Sequence, residues 1–201
     1  MCSSDLLGLD AFYGSGADEL GPTRPFGWVN LLQACLISEL NTENPSGQKM
    51  GVAQTWKDLY RVVLNTNLIL NRVEGNSKIP VADQESIIAE TLFLRSLAYF
   101  HLTNLWGAVP YYRTLLTTDE INKLGRTNAE EIRKDIIEDL KKAILKMPAI
   151  IPAKDNGRAS KWAASMVLAK IYLLQKKWTD AKEICLSIIN TSDRALLPNF
   201  A

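Results

Sequence analysis

Histidine is nearly missing from this chain. His101 is the only one in 201 residues, and the three cysteines, Cys2, Cys35 and Cys185, form no CxxC pair. A His/Cys metal centre therefore has no support in the sequence. Nothing in the cysteine spacing argues for a disulfide. A lone histidine leaves any nucleophile short of a partner base, and neither GxSxG, nor a phosphate-binding glycine loop, nor HExxH occurs. Gly14-Ser15-Gly16 is a turn signal only. No catalytic residue, metal ligand or cofactor is expected. Blocks of basic residues are missing and the formal net charge is +1, so nucleic-acid binding lacks its electrostatic basis. No apolar run reaches the length of a membrane span.

What is present is an ordinary globular composition, 47% hydrophobic and 22% charged. The length suffices for one domain, or a large part of one, with an apolar core. Met1-Cys2-Ser3-Ser4 resembles the start of a mature bacterial lipoprotein, but no signal peptide precedes it. Cys2 is either the lipidated cysteine of a trimmed chain or incidental. Residues 1–50 read as irregular loops and short helices. Within them Asp18-Glu19 precedes a run of glycine and proline turns carrying Arg24, Phe26 and Trp28.

Residues 51–201 read as a helical scaffold. Trp56, Tyr60, Val63, Asn67 and Leu70 share one face of a helix over 51–73. Asn67 on that face reads as a core asparagine bonded to the backbone of a neighbouring segment. A second helix, over 83–105, is apolar on a broad face and holds Arg95 inside it. A buried guanidinium must meet a carboxylate or helix-end carbonyls. Trp106-Gly107 then ends the helix, and Pro110 keeps the exit extended. A third helix, Thr127 to Met147, has capping-box spacing at Thr127 and Glu130 and a stripe of Ile132, Ile136, Leu140, Ala143 and Met147. Glu130–Lys134 and Glu138–Lys142 read as i,i+4 pairs on a solvated face. Two more helices are expected over 160–175, capped by Ser160, and 179–190. Trp56, Trp162 and Trp178 read as core, and Trp106, Tyr111 and Tyr112 as closing an insertion over the helices.

Ser165-x-x-Leu168-Ala169-x-x-Tyr172, followed by Ala181-x-x-x-Cys185, matches the tetratricopeptide spacing. Small residues at 169 and 181 let two antiparallel helices approach. Tyr99, Leu140, Ala143 and Pro148 trace a second unit, interrupted by an insertion from Trp106 to Arg126. Insertions in helical repeats emerge on one face, often the binding face.

Four segments together resemble one family. They are Trp56-x-x-Leu59-Tyr60-x-x-Val63-x-x-x-Asn67-x-Ile69-Leu70; Ala89-Glu90-x-x-Phe93-Leu94-Arg95-x-x-Ala98-Tyr99-Phe100-x-Leu102 with Trp106-Gly107-x-Val109-Pro110; Ile132 to Pro148 with Asp139-Leu140 and Ala143; and Gly157-Arg158-Ala159-Ser160 leading to Ala163-Ala164, Leu168-Ala169-x-Ile171-Tyr172-Leu173, Trp178 and Ala181. In this order they resemble the SusD/RagB-like outer-membrane glycan-binding lipoproteins of Bacteroidota. Trp106 stands where phenylalanine or tyrosine is more usual.

The resemblance implies an all-α fold of tetratricopeptide-like helix pairs with irregular loop insertions, a SusD-like α-α superhelix. It implies one SusD-like domain over 1–201, incomplete beside members more than twice as long: a fragment or a severely shortened member. It implies a binding protein rather than an enzyme, held at the surface of the outer membrane by a lipidated cysteine, aiding nutrient uptake beside a SusC-like TonB-dependent transporter. Glycans stack on aromatic rings and bond to carboxylate, amide and guanidinium groups. Trp28 and Phe26, with Arg24, Asp18 and Glu19, are the candidate ligand contacts; the alternative for Trp28 is a hydrophobic plug over the first helices. The rival function is a tetratricopeptide-like adaptor that binds a protein or peptide.

Overall fold

The computed structural model of the chain describes residues 52–192. Within them run α1 (Val52–Val73), α2 (Val81–Trp106), α3 (Thr118–Asn122), α4 (Ala129–Lys146), α5 (Lys161–Leu174) and α6 (Trp178–Thr191). Two short strands, β1 (Val109–Pro110) and β2 (Arg126–Thr127), lie between α2 and α4. The all-α class expected from the stripes and breakers is what is found, with boundaries displaced by a residue or two.

By its internal contacts the chain divides into two units, Met1–Arg61 and Val62–Ala201. Of the first, the described part is the opening of α1. There Gln54 Nε2 donates to Asp58 Oδ1 at 2.9 Å, Arg61 pairs with Asp58 at 3.4 Å, and the Trp56 and Tyr60 rings lie 4.8 Å apart. These neighbours on the helix surface each add a few tenths of a kcal/mol. Along α1, Thr55, Leu59, Val63, Thr66, Asn67 and Val73 are buried, while Trp56, Tyr60 and Leu70 are half-buried. The buried face is thus turned by about one position from the expected one. Thr66 tolerates burial because its hydroxyl donates to the Val62 and Val63 carbonyls.

In the second unit α2 packs against α4, α4 against α5, and α5 against α6. Ala89, Phe93, Tyr99, Phe100 and Leu102 of α2 are buried, and the stripe of Ile132, Ile136, Leu140, Ala143 and Met147 is buried as expected. Gly107 ends α2 at φ 71, a left-handed backbone that a side chain would strain, and its N–H returns to the Thr103 carbonyl at 3.1 Å. The chain then leaves the helical layer and comes back. β1 and β2 pair antiparallel, Val109 with Thr127 and Pro110 with Arg126. This ladder sets the end of α2 beside the start of α4, so the insertion departs and returns at one point of the repeat.

The clasp also corrects the expected cap. Thr127 is held in β2, and α4 begins one residue later on Asn128, whose Oδ1 accepts from the Glu130 N–H at 2.8 Å. A capping box does occur at α3, between Thr117 and Glu120. Glu130 pairs with Arg133 rather than with Lys134.

The start of α5 is tied to the end of α4 by the Lys161 N–H donating to the Pro148 carbonyl at 2.9 Å. Ser160 is the N-cap by position, without a side-chain cap bond. Lys176 closes α5 at φ 57, with its N–H on the Leu173 carbonyl and the Lys177 N–H on the Tyr172 carbonyl. That is a Schellman motif with lysine where glycine is usual. Ala169 and Ala181 are buried as the repeat requires. Trp178 is not core: as the first residue of α6 it stands at the helix corner, 62% exposed. Trp162 is half-buried with its indole N–H enclosed and unpartnered.

Candidate functional site

Asp18, Glu19, Arg24, Phe26 and Trp28, the ligand contacts expected from sequence, lie outside the described residues, as do Cys2 and Cys35. Among the described residues, the concentration of polar chemistry lies where α1, α2, α4 and the insertion converge. Arg95 projects from the apolar face of α2 and is 4% exposed. Its guanidinium donates to Asp139 Oδ2 at 2.7 Å, to Asn67 Oδ1 at 2.9 Å and to the Arg113 carbonyl at 3.1 Å. The carboxylate demanded by burial is therefore Asp139, itself 1% exposed on α4.

Asp139 accepts a second guanidinium. Arg113, in the insertion, places Nη2 at 2.5 Å from Asp139 Oδ1 and Nη1 at 3.7 Å from Asp135. Asn67 completes the arrangement in the role its sequence position suggested. Its amide donates to the backbone carbonyls of Tyr112 and Thr114 while its oxygen accepts from Arg95. Tyr99 pins the same strand of chain: its hydroxyl accepts from the Tyr112 N–H at 3.0 Å and donates to the Tyr112 carbonyl at 2.9 Å. Burial pushes the Tyr99 and Tyr111 phenols well above their ordinary range, with Asp135 adding to the rise at Tyr111. Both therefore stay protonated donors at any physiological pH. The Tyr111 ring meets Tyr99 edge-on at 4.7 Å. Tyr111 and Tyr112 thus close the insertion over the helices, as expected.

Arg113 was missed in the sequence, because it follows the corner where helical periodicity has ended. A signal for Asp139 was there: residue 139 falls on the stripe of Ile132, Ile136 and Ala143, and a carboxylate in an apolar stripe calls for a cation.

Above this floor lies an open cleft of ≈ 370 Å³, bounded by α1, α2, the insertion and α4. Leu70, Ile88, Leu92 and Leu115 form its aliphatic walls; Asn71, Glu74, Thr114 and Lys142 stand at its rim. The cleft thus combines a hydrogen-bonded polar floor, aliphatic walls and a polar rim, a mixture that suits binding. Elsewhere two family-like segments meet directly, where Arg158 of the Gly157-Arg158 stretch forks onto the carboxylate of Glu90. Among the described residues no group of His, Cys, Asp and Glu is placed to hold a metal ion, and no helix is long and apolar enough to cross a membrane.

Comparison with known proteins agrees with this architecture. A SusD-like protein of Formosa agariphila is 43% identical over 97% of this chain and 37% of its own length. A solved laminarin-binding SusD-like protein is 30% identical, with a TM-score of 0.67 over 72% of this chain and 32% of that one. Surface glycan-binding protein A from Bacteroides uniformis, at 20% identity, shares the fold, with a TM-score of 0.75 over 95% of this chain and 42% of that one. The chain thus spans well under half the length of the relatives it matches. Residues 29–173 match the SusD-like family model described as starch-binding and associating with the outer membrane. A buried Arg95–Asp139 joint, a glycine corner at Gly107 and a clasped insertion between paired helices are thus features of a chain that belongs to the SusD-like family.

Proposed function

We propose that the protein carrying this chain binds an oligosaccharide or polysaccharide at the bacterial cell surface and hands it to a TonB-dependent outer-membrane transporter. The single observation that carries this reading is the family match over residues 29–173. The laminarin-binding relative supports a glucan among the candidate ligands. Anchoring through a lipidated cysteine, with Cys2 the candidate, and pairing with a SusC-like transporter belong to the same proposal. The role is binding without bond cleavage: capture from solution, orientation and release. Asp18, Glu19, Arg24, Phe26 and Trp28 remain the proposed primary contacts, with aromatic faces for sugar CH groups and charged groups for hydroxyls.

The test is a glycan array followed by calorimetric titration, with laminarin among the ligands, on the full-length protein. Saturable binding to a polysaccharide, weakened at least about tenfold by Trp28→Ala, is the expected result, since one stacked ring contributes on the order of 1 kcal/mol or more beyond its buried area. Failure to bind any glycan, with a peptide or protein co-purifying instead, would return the reading to the adaptor.

A further inference from the structure

The cleft above the Arg95–Asp139 joint takes no part in holding the fold together at its rim. Glu74, Asn71 and Lys142 line it, and none of their side chains has a hydrogen bond or ion pair among the described residues. Its floor is the opposite. Arg95, Asp139 and Asn67 are each bonded to fixed partners, so the base cannot rearrange to fill the space. A volume of ≈ 370 Å³ sits at the lower end of the roughly 300–1,000 Å³ range of small-molecule sites.

The charges select the ligand. Of the lining charges, Arg95 and Arg113 are already paired, with Asp139 and with Asp135 outside the lining, which leaves Lys142 and Glu74, one of each sign. Such a balanced site has no net pull on a phosphate, a uronate or an ammonium ion. What it offers is one free acceptor in Glu74, one free donor in Lys142 and an amide that does both in Asn71. Hydroxyl groups, which donate and accept, satisfy all three at once. The aliphatic walls suit the CH faces of a ring.

We infer that this cleft is a second carbohydrate subsite, taking one uncharged sugar ring with its hydroxyls on Glu74, Asn71 and Lys142. The inference rests on the glycan-binding reading above and adds to it a site built from other residues, between Asn67 and Lys142. Among the described residues no aromatic ring lines the cleft, so without stacking the affinity for a lone ring is weak. A weak subsite still matters on a polymer. Once one stretch of the chain is held elsewhere, its neighbours reach the cleft at an effective concentration in the millimolar range.

Amide spectra of the isotopically labelled full-length protein, titrated with the methyl glycosides of glucose, galactose and mannose and with methyl glucuronide, test it. At least one neutral glycoside should shift the amides of Asn71, Glu74, Leu92 and Lys142 together. Glu74→Ala and Lys142→Met, both changes at exposed positions that leave the fold intact, should each weaken that shift about tenfold, the loss of one hydrogen bond to a charged group. No shift in the cleft from any neutral glycoside overturns the subsite, whatever the glycan array shows. A response to glucuronide alone overturns the charge argument and the subsite with it. A cleft response without any binder on the array would keep the subsite and sink the wider reading, so the two failures are distinguishable.

Discussion

A single guanidinium, that of Arg95, joins three segments of chain that are far apart in sequence. Removing it leaves Asp139 buried with only the half-exposed Arg113 for company. Arg95→Ala should therefore lower stability by about 3 kcal/mol or more, read by urea unfolding; an unchanged midpoint would show that Arg113 alone satisfies the carboxylate. His101 makes a second residue-level prediction. Burial, with Lys170 adding to it, pushes its imidazole from 6.5 down to about 4. The fold therefore favours the neutral ring, and the unfolded chain takes up the proton first. This contribution is fully present above pH 6.5 and is lost as the pH falls toward about 4. Thermal unfolding of His101→Gln followed across that window should show a shallower decline than the parent; parallel curves would place the histidine in water. That Arg95 needs a partner was legible from its apolar neighbours alone. Which partner was not, because neither periodicity nor spacing says that the carboxylate of α4 faces α2.

Helices α5 and α6 are turned back on each other by Lys176 in a left-handed conformation. For a residue with a side chain that conformation costs on the order of 1–2 kcal/mol, part of which glycine returns as unfolded-state entropy. Lys176→Gly should accordingly raise stability by about 0.5–1 kcal/mol, visible as a higher denaturant midpoint at unchanged slope. A loss would mean that the lysine side chain supports the turn. Across the same pair, Ala169 and Ala181 are buried while Lys182 is exposed. Ala169→Leu and Ala181→Leu should each cost about 1–3 kcal/mol by overpacking, and Lys182→Leu almost nothing; equal unfolding curves for all three would contradict the repeat register. At this scale the sequence was most readable. Stripes of period 3.6 mark the helices because one face of each is dry. The same logic failed at Trp178, since an indole at a helix corner is as compatible with the pattern as one in the core. It also failed at Thr127, whose capping spacing competes with a strand pairing that only the three-dimensional return of the insertion creates. The proposed ligand contacts carry no period at all, so residues 18–28 could be picked out by composition alone.

At the scale of the described scaffold, the clasp between β1 and β2 and the packing of α2 on α4 should hold the molecule together when the chain between them is cut. A specific protease site placed between Asn122 and Lys123, both outside the clasp, should give two pieces that co-elute at the parent's size and keep its helical circular dichroism. Separation under native conditions would show that continuity of the insertion, rather than its anchoring, maintains the helix pair. The shared carboxylate of Asp139 has a different kind of consequence, for how such a chain can change over generations. Losing Arg95 leaves a buried anion with only the half-exposed Arg113, and losing the aspartate strands the buried Arg95. Replacing the whole group by apolar side chains of similar volume is, in other proteins, often neutral or better. The apolar alternative is thus separated from the present arrangement by steps at Arg95 or Asp139 that, taken singly, are each worse than either end. Drift by one substitution at a time cannot cross that valley easily, so the joint is entrenched by its own geometry, even where its contribution to stability could be matched by grease.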